Sequence, residues 1–368
     1  MPVARLGRIK PRYRRSRALL LYWADGRLAY FDCRTGQRRT STIDVMSLLD
    51  QMHDWVTAAE LRGQHQELGR EADVESLLRE MVKLGVAERE TRQPPWKWAE
   101  WMPEAAFFHF GTRDGHYPVD FFKHEARLRE KAKTNPQPAS AKSMTGPRTD
   151  LLPPGATGAL GAALESRRTW RNFGDAPVSF ESISTLLALT WGVRGRGRVE
   201  GQGDIVFKTS PSGGSRHPIE VYVIAKHVDG LARGVYHYDC SANALVAVGP
   251  AIADDRLTRI LAHQYYFAPS AALFVMTACF ERTMWRYPIR RAYRAVLAEA
   301  GHLGQTFCLV ATHLGLAPFC TMAFHDTRLE RLLGVRNDTE AAVYLVGVGS
   351  RPTKPVDHPG RIPPRRAE

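Results

Sequence analysis

Residues 166–173 read SRRTWRNF, and residues 210–218 read SPSGGSRHP directly ahead of the apolar run IEVYVIA at 219–225. The first segment places Arg167, Arg168, Thr169 and Arg171 just after a helical run, and three guanidiniums with a hydroxyl make a donor set suited to a phosphate. Solvated helix ends also collect arginines, so this segment alone leaves both readings open. In the second, Pro211, Ser212, Gly213 and Gly214 lead into a strand. Adjacent glycines let a backbone approach a flat ligand, and flanking hydroxyls can donate to its edge, although an ordinary turn has the same composition. Further along, GHLGQTFCLVATHLGL at 301–316 sets Gly301 and Gln305 on one face of an otherwise apolar helix, where a buried amide needs a polar partner. The strand VYLVGVGSRP at 343–352 has Gly347 and Gly349 opening the backbone ahead of Arg351.

Helices and strands alternate around these segments from residue 156 onward. Periodicity predicts a helix over Phe180–Trp191, strands over Ile219–Ala225, Val235–Tyr238, Leu245–Val248 and Ala271–Phe280, a long helix over Ile289–Leu314 and a last strand over Ala341–Val348. The expected result is an α+β domain with a mixed sheet over 156–352. Upstream, 131–155 carries five prolines and little apolar periodicity, as an interdomain linker does. Ala18–Tyr22 and Leu28–Phe31 read as strands joined at Asp25-Gly26. Short helices at Ile43–His53 and Ala58–Gln64 follow, then a helix at Asp73–Leu84 that spaces Val74, Leu77, Leu78, Met81 and Val82 along one face and stops at Gly85. With a closing strand at Val86–Glu90, this is the order of a small winged-helix-like domain over 18–90. Residues 91–155 are expected to be an aromatic bridging segment and the linker, since Trp96, Trp98, Trp101, Phe107, Phe108, Tyr117, Phe121 and Phe122 must be covered by something.

The chain has 368 residues, 44% apolar and 24% charged, enough for about two domains and inconsistent with a disordered tail. Its formal charge of +13 invites a nucleic-acid reading, but the excess has a particular location. A basic arm, 1–17, holds seven basic residues and no acid; 131–155 holds four against one; and the end of the chain from Arg351, which includes a basic Pro-rich tail at 353–368, holds five against two. The remainder is balanced, and the candidate recognition helix sets Arg79 and Lys83 against Asp73, Glu75 and Glu80, so no DNA groove is expected. No apolar run reaches the ~18 residues of a membrane span. Cys33, Cys240, Cys279, Cys308 and Cys320 form no CxxC pair and no even framework, which fits packing residues in a reducing cytoplasm. The histidines show no metal spacing, so no metal is expected. The glycine run WGVRGRGRVEGQG at 191–203 leads into no βαβ unit and reads as a mobile loop near a substrate mouth rather than as a dinucleotide fingerprint.

Taken in order and spacing, the four segments over about 160–352 resemble the nitroreductase-like FMN flavoenzymes, and within them the SagB-type dehydrogenases of peptide natural products. The N-terminal pattern resembles the leader-peptide recognition domains of ribosomal peptide maturation enzymes. The resemblance implies a nitroreductase-like FMN-binding fold in which Arg167, Arg168, Thr169, Arg171 and Arg351 hold the phosphate and ribityl chain. It places Pro211, Ser212, Gly213 and Gly214 by the isoalloxazine from a partner subunit, brings Gln305 to the flavin, and implies a homodimer; Gly347 and Gly349 belong to the same set. Azoline-oxidising members carry a Lys-Tyr pair ahead of the long helix, credited with proton removal, where this chain has Arg286-Tyr287. A guanidinium, with a pKa of ~12.5 or above, is a poor base, so that role would fall to Tyr287. Azoline-to-azole dehydrogenation on a precursor peptide, alongside a cyclodehydratase or dehydratase, is the implied activity. Arginine in place of lysine keeps open a reductase of dehydroamino acids, nitro compounds or quinones fed by NAD(P)H; a leader-binding scaffold without catalysis is the third reading.

Overall fold

A computed structural model describes residues 10–91, 96–115, 117, 121–142, 145–152, 155, 158–200 and 203–353. Residues 1–9 of the expected basic arm, 354–368 of the expected tail, parts of the linker, and the side chains of Phe121 and Phe122 lie outside the described residues. Two compact units are formed, Met1–Arg113 with Tyr287–Tyr293, and Asp114–Arg286 with Arg294–Glu368.

The first unit opens with strands β1 (Arg12–Arg15), β2 (Leu19–Ala24), β3 (Arg27–Asp32) and β4 (Gln37–Thr40), then α1 (Ile43–Gln51), β5 (Val56–Thr57), α2 (Ala58–Gln64), α3 (Glu71–Lys83) and β6 (Ala87–Arg89). β2 pairs with β3 across Asp25 and Gly26, whose φ values of 50° and 72° are those the right-handed twist of a two-residue hairpin demands. Helix α2 starts on a reciprocal cap: Glu60 N donates to Thr57 Oγ1 at 3.2 Å, and Thr57 N donates to Glu60 Oε2 at 2.7 Å. On α3, Val74, Leu78 and Met81 are buried against Tyr13, Leu49, Met52 and Leu61, while Leu77 turns outward at 38% exposure. Gly85 takes the left-handed φ of 77° that ends this helix. The strands and helices of the expected small domain are thus present in the expected order. Helix α4 (Glu104–Gly111) belongs to the same unit. Its His109 stacks on Trp98 at 4.7 Å and lies 3.1 Å from the Tyr293 hydroxyl through Nδ1, while Trp101 Nε1 donates to Tyr287 O at 3.2 Å.

The second unit contains α5 (Phe121–Thr134), α6 (Gly158–Ser166), β7 (Val178–Ser179), α7 (Phe180–Thr190), β8 (Gly195–Val199), β9 (Gly203–Phe207), β10 (Ile219–Ala225), β11 (Val228–Asp229), β12 (Gly234–Asp239), β13 (Ala244–Gly249), α8 (Asp254–Ile260), β14 (Ala272–Cys279), α9 (Phe280–Arg286), α10 (Tyr293–His313) from its second residue on, β15 (Ala317–Thr321), α11 (Asp326–Leu333) and β16 (Glu340–Gly349). Its main sheet runs β13-β12-β10-β14-β16-β15, with every ladder antiparallel. The expected mixed sheet is not formed, because periodicity identifies a strand but not the neighbour it takes. The α+β class holds.

Central strands are buried on both faces. Tyr222, Ile224, Leu273 and Val275 point into a core shared with Leu257 of α8 and Leu329 of α11. Their alternates face the opposite way, where Phe274 stacks on Trp191 at 5.9 Å and meets Phe307 of α10 at 4.8 Å. The long helix starts at Tyr293 rather than Ile289, after a 3₁₀ turn at Arg290–Ala292. Around the glycine run, Gly195–Val199 and Gly203–Phe207 pair antiparallel as β8 and β9.

Gly347 lies opposite Phe319 in the β15–β16 ladder, and a Cβ there would overlap the Phe319 ring and fall 2.9 Å from Leu273 Cδ2. That ring is itself stacked flat on Phe267 at 3.9 Å and has nowhere to move. Gly347→Ala is expected to destabilise the fold by about 1–3 kcal/mol through overpacking, read as a lower urea midpoint at unchanged slope; an unchanged midpoint would show that the rings yield.

Candidate functional site

The arginine segment is positioned by backbone bonds to the far end of the sheet. α6 closes with Arg167 N donating to Ala163 O at 2.9 Å; Trp170 N then donates to Pro318 O at 3.0 Å and Gly174 N to Ser350 O at 2.9 Å. Ser350 Oγ bonds the carbonyls of Gly174 and Ala176 in return. These bonds bring Arg351 beside the early motif: the Arg168 and Arg351 guanidiniums lie 4.7 and 5.7 Å from the Trp170 ring centre. Arg351 also donates to Thr312 O at 3.0 Å and Leu316 O at 3.1 Å, at the C-terminal end of α10, where a cation is favoured. Arg171 bonds the Tyr266 hydroxyl, Thr169 is half-buried, and neither Arg167 nor Arg171 forms an ion pair with a carboxylate among the described residues. Asn172 Nδ2 is buried there with no hydrogen-bond partner among the described residues. A cluster of guanidiniums with an unsatisfied amide donor fits the phosphate of FMN.

The glycine loop is fastened to the middle of α10. Ser210 and Thr306 hydroxyls lie 2.9 Å apart, Ser212 hydrogen-bonds Glu299, and His217 N donates to Ser212 Oγ at 2.9 Å. The chain doubles back through Gly214, Ser215 and His217, with φ of 60°, 53° and 43°. Pro211, Gly213 and Gly214 are exposed, Ser212 is half-buried, and the exposed Gln305 stands next to Thr306, so these predicted residues are brought together. Gln305 is not the buried amide expected from the helix pattern. Val296, Ala300, Leu303, Gly304 and Phe307 take the inner face, leaving Gly301, His302 and Gln305 on the outer one. Gln305 and Thr312 are about 10 Å apart along the axis, so the loop cluster and the arginine cluster occupy successive stretches of one helix. Gly347 joins neither, because the Phe319 ring fills the space beside it, whereas Gly349 packs against the ring of Phe173 at the end of the arginine segment.

Beside the loop is a cavity of about 490 Å³, lined by Ile205 and Val206 of the β8–β9 hairpin, Lys208, Arg216, His217, Glu220, His237, Arg282 and Trp285. Glu220 accepts from His237 Nε2 at 3.0 Å and pairs with Arg282 at 2.5 Å. Burial raises the Glu220 carboxyl, but these partners outweigh it and hold the group below its ordinary range. His237 is raised by its bond to Glu220. Glu299 is buried at 4% exposure with His217 Nδ1 3.8 Å away. That spacing suits an ion pair, yet burial pushes Glu299 up to about 7 and His217 down to about 4, so both favour the neutral form. Sequence reading missed both; the available signal was a carboxylate on the stripe of Val296, Ala300, Leu303 and Phe307. Arg286 ends α9 in the second unit, and Tyr287, half-buried, is grouped with the first.

An antiparallel sheet with helices on both faces and arginines gathered where its last strand ends defines an α+β domain with a convergent cationic site. The chain belongs to the Nitroreductase family, which matches residues 164–350. It is 30% identical over 188 residues to MJ1384 of Methanocaldococcus jannaschii, a protein assigned to the nitroreductases, covering 51% of this chain and 89% of that one. It is 33% identical over 150 residues to the trifolitoxin-processing protein TfxB of Rhizobium leguminosarum bv. trifolii, covering 38% of this chain but only 39% of TfxB. Among solved structures, a chain of the E. coli microcin synthetase McbBCD complex with truncated pro-MccB17 aligns with a TM-score of 0.46 at 21% identity, over 64% of this chain and 88% of that chain. The resemblance read from the four segments therefore holds at the level of the family, and the relatives include a toxin-processing protein. No helix among the described residues is long and apolar enough to cross a membrane.

The Glu299 carboxyl lies above its unfolded value of ~4.3, so its stabilisation is complete below that pH and is lost as pH rises through about 7. His217 runs oppositely: its contribution is present above ~6.5 and is lost as pH falls through about 4. Glu299→Gln is expected to raise the melting temperature at pH 8 relative to the parent and to change it little at pH 5. Parallel pH–stability curves for the two proteins would remove Glu299 as the cause.

Proposed function

We propose that the protein is an FMN-dependent oxidoreductase that matures a ribosomally synthesised peptide in the cytoplasm, and that its reaction is azoline-to-azole dehydrogenation. The observation that carries the FMN reading is the meeting of Arg168 and Arg351, from opposite ends of the domain, on the Trp170 ring, beside Arg167, Arg171 and the unsatisfied Asn172 amide. Bound FMN would supply the two-electron acceptor for a hydride. The protein's own contributions are separable. Arg167, Arg168, Arg171 and Arg351, with Thr169, would hold the phosphate end. The Pro211–Gly214 loop and Gln305, both on the outer side of α10, would meet the ring system of a second copy in a homodimer. Tyr287 would take the substrate proton, since Arg286, its neighbour in the chain, is unable to serve as a base at neutral pH. The N-terminal unit would recruit the leader of the precursor peptide, and a cyclodehydratase or dehydratase would supply the ring or alkene. Similarity to TfxB supports the peptide-maturation setting. Arg286 favours a second reading, in which NAD(P)H loads the flavin and a dehydroamino acid, nitro compound or quinone is reduced.

Purified protein is expected to be yellow and to release FMN on denaturation. Arg167→Ala with Arg171→Ala should weaken FMN binding about 10²–10⁴-fold, since two charge-assisted bonds of ~1.5–3 kcal/mol each are removed. Colourless protein that titration with FMN cannot reconstitute would end the oxidoreductase reading and leave the scaffold.

Tyr287→Phe is expected to keep FMN and to lose ~10²–10⁴ of turnover, the usual effect of a positioned acid or base, with a solvent isotope effect in the parent confirming that proton transfer limits the rate. Under those conditions, full turnover in the variant would exclude Tyr287 as the proton carrier.

A further inference from the structure

Cys308 lies on α10 one turn beyond Gly304, and Cys320 lies on β15 opposite Val346 of β16. Helix residues four apart share a face, as do strand residues two apart. Tyr344, two residues before Val346, therefore stands on the same sheet face as Cys320, and its ring covers Gly304, where a Cβ would fall 2.6 Å away. The Cys308 and Cys320 side chains are in consequence near enough to interact across the α10–β15 contact, and the Tyr344 side chain neighbours Cys320. Cys308 is closed off at 4% exposure, whereas Cys320 is half-buried. Interaction with Cys308 lowers the Cys320 thiol below its ordinary value against the effect of burial, with help from Tyr344 and the nearby Arg167 charge. None of the other three cysteines has a thiol partner, and burial pushes Cys33 and Cys279 up to about 12.

We propose that Cys308 and Cys320 form a redox modification site, at which a hydroperoxide oxidises the two thiols to a disulfide joining α10 to β15. The Cys320 thiolate attacks one peroxide oxygen, the O–O bond breaks, and the departing oxygen takes a proton, leaving Cys320 as a sulfenic acid. The Cys308 sulfur then attacks that sulfur; an S–S bond forms, the S–O bond breaks and water leaves. Two thiols lose two electrons and two protons in all, and hydrogen peroxide is reduced to two waters. The accessible partner is the nucleophile and the buried one resolves it, an arrangement that spares Cys320 from further oxidation.

The test uses the full-length protein, reduced and then exposed to hydrogen peroxide. The intact mass should fall by two hydrogens, and peptide mapping should place the linkage between Cys308 and Cys320, formed about tenfold or more faster than any product at Cys33 or Cys279. Cys308→Ser should leave a Cys320 sulfenic acid that dimedone traps, and Cys320→Ser should leave Cys308 reduced at the same dose. Should either serine variant fail to fold, the mapped linkage in the parent decides alone. Modification of Cys33, Cys240 or Cys279 ahead of this pair, or peroxide treatment that leaves the pair unlinked, overturns the proposal.

Discussion

Helix α10 can lie as close to the sheet as it does because residue 304 has no side chain. The Tyr344 ring occupies the place a Cβ would take, so helix and strand approach by the thickness of one ring rather than of two interdigitated side chains. This contact fixes the height of α10 above β16, and much of the second unit takes its position from that helix. Phe307 reaches Phe274 and Trp191 on the sheet below. Ser210 and Ser212 fasten the glycine loop to Thr306 and Glu299, and the last carbonyls of the helix receive Arg351.

That single helix therefore carries two kinds of chemistry in sequence. Its middle supports an open loop of small and hydroxyl residues, suited to a flat ligand. Its C-terminal end, with the negative pole of its dipole, gathers Arg351 next to the early arginine motif. The Arg168 and Arg351 guanidiniums lie against the Trp170 face, and Arg351 donates to the backbone carbonyls of Thr312 and Leu316. One to two turns before Gln305, burial pushes Glu299 up to about 7, and it pushes His217, which lines the cavity with Lys208, Glu220 and Arg282, down to about 4.

In the first unit the aromatic segment has its own interior. Trp98, Trp101 and His109 close around Tyr293 and the carbonyl of Tyr287, so the residues between α9 and α10 belong with that aromatic cluster. The small domain before it is built from short-range signals: a two-residue turn with positive φ, a reciprocal helix cap and a glycine stop.

Those short-range signals are what the sequence by itself determined. Alternation and 3.6-residue spacing marked β2, β3, α3, β10, β14 and α10 to within a few residues, because local sterics and one-sided burial leave their period in the chain. The arginine motif, the glycine loop and Gln305 were legible as residue types suited to a cofactor. Tertiary structure alone decided which of them meet. Arg351 joins Arg168 only because β15 and β16 end beside the segment after α6, and no local pattern encodes that adjacency. Gly347 and Gly349 looked like open backbone but are occupied by rings from Phe319 and Phe173, which come from other strands and loops. Gln305 faces outward because the inner face of α10 was already filled, and Glu299 is buried because its turn of helix happens to lie beneath the glycine loop. Antiparallel order in place of a mixed sheet has the same origin. Periodicity reports how a segment sees its surroundings, whereas neighbours are chosen by packing between segments distant in sequence, where only the folded chain brings the interacting surfaces within reach.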